Sequence, residues 1–156
     1  MNNNNNKLQF PKLIFEEFFD GEVSAKGHLI QYYPKIKKKK LFINFKGEFK
    51  KNTLYIKENY FEDNLNIVRE WKFIKISNNY FIGDEKNVYG KIKVFINNNE
   101  LKMKYFFKII FKKISIKVNV QDDMYLLNAN EIINSTKVTK YKIRLADTLL
   151  MYKKKL

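Results

Sequence analysis

The sequence predicts an all-β chain folded as a single antiparallel barrel or strongly curled sheet, with a short N-terminal helix. Three observations predict it. Apolar and polar residues alternate at period two along most of the chain, as they do on a strand with one buried face. Turn signals rich in Asn and Lys interrupt that alternation at short intervals. The segments so delimited number about eight to ten, at the spacing of up-and-down antiparallel proteins. A sandwich also satisfies the pattern, but barrel closure removes exposed strand edges and is preferred for that reason.

The elements follow in order. Residues 1–10, with the run Asn2 to Asn6, read as a flexible polar arm, and residues 11–156 as one barrel-like domain. Pro11 to Phe19 reads as a short amphipathic helix, because proline suits a first helical position and Leu13, Ile14 and Phe18 give it an apolar side. Gly21 ends it, and the period then changes to two. Val23 to Gln31, Leu41 to Phe49, Leu54 to Phe61, Ile67 to Ile76 and Val88 to Ile96 each read as a strand. Lys51-Asn52, Glu62-Asp63-Asn64, Ser77-Asn78-Asn79 and Asn97-Asn98-Asn99 are turn signals. Lys35 to Lys40, broken only by Ile36, reads as a hairpin tip or a solvated face. Alternation is clearest from Leu101 to Phe111, where Leu101, Met103, Tyr105, Phe107, Ile109 and Phe111 share one face. After Lys112-Lys113 the parity changes to Ile114, Ile116, Val118 and Val120, which requires a tight turn or a bulge. Glu131 to Ile143 and Thr148 to Tyr152 complete the set.

Composition limits the chemistry. At 156 residues the chain suits one ordinary domain able to bury a core without staples. A hydrophobic fraction of 45% exceeds what a disordered chain carries. The absence of cysteine excludes disulfides, zinc thiolates, thiol nucleophiles and a lipid-accepting cysteine. The start has no secretory signal pattern, and no run approaches the ~20 apolar residues of a membrane span. The chain as written therefore reads as cytoplasmic, or as envelope-associated if its N-terminus is incomplete. His28 is the sole histidine, so neither a histidine triad nor a multi-histidine metal site can be assembled. No phosphate loop, dinucleotide fingerprint or calcium loop occurs. No catalytic residue, metal ligand or cofactor is assigned. Glu62-Asp63 and Asp122-Asp123 are paired carboxylates, but turn capping accounts for the first pair, and a metal or acid-base role needs convergence in a cleft.

The formal charge of +15 has two readings. A lysine-rich surface binds polyanions by counterion release. Alternatively, a genome rich in A and T enriches Lys, Asn, Ile, Phe and Tyr together. Arg69 and Arg144 are the only arginines, which disfavours nucleic-acid recognition through bidentate arginine contacts.

Two charges stand out because of where parity places them. Leu54, Ile56, Glu58 and Tyr60 share a face, as do Ile67, Arg69, Trp71 and Phe73 on the next strand. If both faces turn inward, Glu58 and Arg69 are expected to form a buried ion pair, since neither charge is tolerated alone in an apolar interior. Such a pair serves either to fix the strand register or to anchor the polar end of a bound molecule. Asn134 and Lys140 share parity on the C-terminal strand.

Phe18-Phe19-Asp20-Gly21, Ala25-x-Gly27, Leu54-x-x-x-Glu58-x-x-Phe61-x-Asp63, Arg69-x-Trp71, Tyr80-x-x-Gly83, Val88-x-Gly90, Asp122-x-Met124-Tyr125-Leu126, Asn134 and Lys140 form an ordered series. From about Leu13 to the C-terminus this series resembles the family called domain of unknown function 3833. The resemblance implies a lipocalin-like (calycin-like) barrel in a small bacterial protein, in a family where many members are lipoproteins and none has an established activity. It also implies a link to membrane lipids, through neighbouring enzymes that modify fatty acyl chains. The chain departs from the family where Asp123 replaces a tryptophan, where Asn64 replaces a glycine, and where Tyr141-Lys142 replaces an aromatic-glycine pair.

The function expected from the sequence is a non-enzymatic binding module. Tyr60, Trp71, Tyr105 and Met124 would line a barrel for a lipid or other apolar small molecule, and Glu58, Arg69, Asn134 and Lys140 would meet its polar end. The alternative is attachment of a lysine-rich face to an anionic membrane surface, with nucleic acid the less favoured polyanion. Oligomeric state is not legible.

Overall fold

A computed structural model describes residues 9–156, so the expected polar arm lies outside the described residues except for Gln9 and Phe10, which are exposed and irregular. One short helix, α1 (Phe15–Phe19), precedes ten antiparallel strands. These are β1 (Gly21–Gln31), β2 (Lys37–Lys50), β3 (Thr53–Glu62), β4 (Leu65–Ser77) and β5 (Tyr80–Asp84), followed by β6 (Val88–Asn97), β7 (Glu100–Phe111), β8 (Ile114–Asn128), β9 (Glu131–Lys140) and β10 (Ile143–Lys154). Each strand pairs with its neighbours in sequence, and β10 returns to β1, so the sheet closes. No helix among the described residues is long and apolar enough to cross a membrane.

Alternation fixes which side chains enter the barrel. On β7, Leu101 and Met103 are buried while Lys102 and Lys104 are exposed, and the inward parity continues through Phe107. Lys112 and Lys113 both hold positive φ, as do Lys51-Asn52, Asp63-Asn64 and Tyr141-Lys142. Two consecutive left-handed residues make the primed turns whose twist matches a hairpin. The turn at Tyr141-Lys142 thus divides the stretch Glu131 to Ile143, read from sequence as one strand, into the end of β9 and the start of β10. The Lys35 to Lys40 run is likewise divided: the connection ends at Ile36, and β2 begins at Lys37.

The helix is shorter than expected and turns a different side inward. Leu13 donates its backbone N–H to the Asn98 carbonyl at 2.9 Å, and Ile14 is extended, so the chain is tied to the barrel before helix begins. Phe15, Phe18 and Phe19 are buried with Leu13, whereas Ile14 is exposed. Phe15 meets Phe73 and Phe81 edge-on, each at 5.1 Å between ring centroids, and Phe19 meets Phe45 at 6.1 Å. These rings plug one end of the barrel. Polar ties hold the plug in place: Lys75 pairs with the buried Glu16, and Lys154 donates to the carbonyls of Glu17, Phe18 and Asp20 at 2.6, 3.0 and 2.7 Å. A cation on the last carbonyls of a helix complements its dipole. Gly47 of β2 lets the helix end lie against the wall, because a Cβ there would sit 1.7 Å from the Phe19 carbonyl oxygen.

β5 is a strand that sequence reading missed. It pairs β4 only from Lys72 onwards, so Leu65–Trp71 of β4 has β3 on one side and no ladder partner on the other among the described residues. The wall is therefore notched near the end opposite α1.

Candidate functional site

Inside the barrel lies a cavity of ≈ 320 Å³. Phe15 and Phe19 of α1 form its floor, and the side chains around it are mainly apolar, among them Ile43, Phe45, Ile56, Phe73, Met103 and Leu150. Two clusters of polar residues interrupt that lining, besides the Lys39–Glu62 pair on β2 and β3.

The first lies on β3 and β4. Glu58 and Arg69 are direct cross-strand partners, and both side chains face the cavity. The expected ion pair does not form: among the described residues no nitrogen of Arg69 lies within 4.0 Å of a Glu58 oxygen. Instead, the Trp71 indole donates to Glu58 Oε2 at 2.7 Å, and Arg69 Nη2 donates to the Tyr60 hydroxyl at 3.2 Å. The guanidinium also lies 4.7 Å from the centroid of the Phe107 ring, within reach of a cation–π attraction. The physical reason is that Trp71, two residues on along the inward face of β4, presents a donor to the carboxylate while Arg69 has an aromatic face to cover. Burial pushes the Glu58 carboxyl above its ordinary range, although the indole bond and the Arg69 charge oppose it. Burial works against the charge of Arg69, but the Tyr60 bond and the carboxylates of Glu58 and Glu85 outweigh it.

The second group is centred on Asp122 of β8. Its Oδ2 accepts from the Tyr105 hydroxyl at 3.3 Å, and its Oδ1 accepts from Asn134 Nδ2 at 3.2 Å and from the Thr136 hydroxyl. Asn134 also donates to the Asp123 carbonyl at 3.3 Å. Desolvation raises the Asp122 pKa, and the three donors offset part of that rise. Burial, then the Asp122 charge, pushes the Tyr105 phenol well above its usual value. Among the described residues no three acidic, His or Cys side chains converge as metal ligands.

Of the residues singled out from sequence, Glu58, Tyr60, Arg69, Trp71, Tyr105, Met124 and Asn134 all line the cavity. Lys140 does not: it shares the parity of Asn134 but lies near the far end of β9, donates to the Lys117 carbonyl at 3.0 Å and covers the Tyr141 ring. Its long stem reaches the turn beside it and not the lumen. In the sequence Asp122 reads as half of an acidic pair, and nothing singles out Thr136. The parity of Ile116, Val118 and Val120, extended two residues, was the signal that places Asp122 inside. His28 is exposed on the outer face of β1.

A family model described as "Protein of unknown function (DUF3833)" matches residues 1–154. No curated protein matches the sequence. Among solved structures, the chain is similar to the S-type phycobiliprotein lyase CPES from Guillardia theta. The TM-score is 0.64 at 6% identity, over 92% of this chain and 94% of that one. The likeness extends over nearly the whole of both chains and shows a shared lipocalin-like barrel.

Proposed function

The chain belongs to the DUF3833 family of proteins of unknown function, and we propose that its barrel is a non-enzymatic binding module for a small apolar, lipid-like molecule with an acidic end. The observation that carries this reading is a mainly apolar cavity of ≈ 320 Å³ containing an arginine with uncommitted donors. Its size falls at the lower end of the roughly 300–1,000 Å³ typical of small-molecule sites. A guanidinium presents five N–H donors, and Arg69 directs one of them to Tyr60. The remainder suit a carboxylate or phosphate, which arginine grips with two parallel bonds. The Thr148 hydroxyl, also in the lining, has no partner among the described residues and is a second polar contact for such a head. Trp71 lines the cavity and holds Glu58, so a ligand that enters alters the surroundings of the chain's single tryptophan.

Trp71 therefore reports binding. Titration with a long-chain fatty acid is expected to change its emission saturably, at one molecule per chain. Arg69→Met should weaken that binding about tenfold to a hundredfold, the range of a lost charge-assisted hydrogen bond. The same fatty acid with its carboxyl esterified should lose affinity for the parent but not for the variant. Native mass spectrometry showing no co-purified small molecule, together with an unresponsive Trp71, would refute the reading.

A further inference from the structure

The strands run alternately between two ends that differ in chemistry. At the α1 end the turns are Lys51-Asn52, Asn78-Asn79, Asn98-Asn99 and Ala129-Asn130, which are largely polar. At the other end the cavity is not covered by the helix, and apolar side chains stand in solvent beside the turns. Phe61 and Leu65 flank the β3–β4 turn at 73% and 65% exposure. Ile110 and Ile114 flank the β7–β8 turn, and Tyr141 and Ile143 occupy the β9–β10 turn, all more than half exposed. Ile36, in the β1–β2 connection, is 72% exposed.

Lysines are interleaved with these residues. Lys35, Lys37 and Lys38 surround Ile36, Lys112 and Lys113 separate Phe111 from Ile114, and Lys142 separates Tyr141 from Ile143. All six are exposed, and among the described residues none has a carboxylate within 4.0 Å. Of the open-end turns, the β3–β4 hairpin carries Glu62, which pairs with Lys39 at 3.1 Å, and Asp63, and the β5–β6 connection carries Asp84, which pairs with Lys91 at 3.1 Å, and the buried Glu85. A ring that is both cationic and apolar is complementary to a surface whose outside is anionic and whose inside is hydrocarbon.

From this we infer that the open rim docks on an anionic lipid bilayer, with the hairpin tips inserted at the headgroup level and the cavity mouth facing the membrane. Several separate hairpins each contribute an apolar anchor, so the contact fixes orientation as well as affinity. Nucleic acid fits less well, because the rim's lysines are compact point charges, and its apolar tips would remain in water. Docking of the rim does not require an occupied cavity. A barrel that never binds a fatty acid can still dock, and one that binds a fatty acid can fail to.

The test is co-sedimentation of the full chain with vesicles of equimolar phosphatidylglycerol and phosphatidylcholine, against vesicles of phosphatidylcholine alone, at low ionic strength. Binding is expected to the anionic vesicles only. K35Q/K37Q/K38Q should lose about 100-fold in partitioning, since each lysine near an anionic surface contributes about fivefold. The equal charge change K12Q/K51Q/K153Q at the α1 end, roughly 25–30 Å away and beyond the screening length, should alter partitioning by less than about twofold. I110S/I114S should cost about tenfold while leaving thermal stability and charge unchanged. Equal losses for the two lysine triples, no loss for I110S/I114S, or binding to duplex DNA without binding to vesicles would each overturn the inference.

Discussion

Replacement of Asp122 tests whether the buried polar cluster is a structural unit. Asp122→Ala removes the acceptor shared by the Tyr105 hydroxyl, the Asn134 amide and the Thr136 hydroxyl. A buried donor left without a partner costs about 1–3 kcal/mol. Here the lower figure applies, because the cluster borders the cavity and water can reach the vacated position, and because loss of a desolvated carboxyl offsets part of the cost. Three donors at about 1 kcal/mol each give a destabilisation of about 3 kcal/mol. Asp122→Asn keeps the shape and the Oδ1 acceptor, and its new amide faces the Tyr105 hydroxyl, which accepts as readily as it donates. That variant should lie within about 1 kcal/mol of the parent. Urea unfolding followed through Trp71 emission separates the two. An Asp122→Ala protein as stable as the parent, or an Asp122→Asn protein as weak as Asp122→Ala, would refute the reasoning.

The same carboxyl sets a pH dependence, measurable as the urea midpoint from mildly acidic to neutral pH. Burial places the folded-state pKa of Asp122 and of Glu58 above their unfolded values, so the folded chain holds those protons more tightly. Their stabilising contribution is complete below the unfolded values, near about 4, and is lost as pH rises through the folded ones. The parent should therefore lose stability over that rise, Asp122→Asn should lose less, and a double variant with Glu58→Gln least; parallel profiles for all three would contradict the assignment. Lys142, at φ 65 in the β9–β10 turn, holds a conformation that costs a residue with a Cβ about 1–2 kcal/mol. Lys142→Gly should relieve it, raising the free energy of unfolding by about 0.5–1 kcal/mol after the entropy of a freer unfolded chain is deducted. A loss of stability would show that the lysine makes a contact worth more than the strain.

Much of the fold was legible because the alternation is long and regular: the inward faces of β3, β4, β7 and β9 follow from parity alone. What failed to show has local causes. β5 spans five residues and includes Gly83, too short for a period to emerge. The β9–β10 turn lacks glycine, asparagine and aspartate, so no residue type announces it, and the sequence reads as one continuous strand. Parity also placed Glu58 and Arg69 on the same side of the sheet, and they do face each other across β3 and β4. It could not say that Trp71 would supply the carboxylate with its donor, since the choice between two neighbouring donors depends on side-chain geometry and not on spacing. The Asp122 cluster joins β7, β8 and β9, and its donors are separated from it by up to 17 residues in sequence.

The +15 charge is a poor guide to function when counted and a better one when placed. Lysine on the outward positions of strands is what alternation produces in any chain drawn from lysine-rich codons, and it carries no information about a partner. The turns are different, because both ends of the barrel are drawn from the same composition. At the α1 end that composition supplies mainly asparagine, which tolerates left-handed turns at little cost. At the open end, two of the turns carry Lys112-Lys113 and Tyr141-Lys142, residues less suited to positive φ, with Ile110, Ile114 and Ile143 exposed beside them, while a third keeps Asp63-Asn64 with Phe61 and Leu65 exposed at its sides. A bias in codon usage acts equally at both ends, and lysine at positive φ occurs at both, as Lys51 shows; what differs is the number of exposed apolar side chains beside the turns. Apolar tips with exposed lysines between them, gathered where the cavity opens, are what docking of that rim on an anionic bilayer requires.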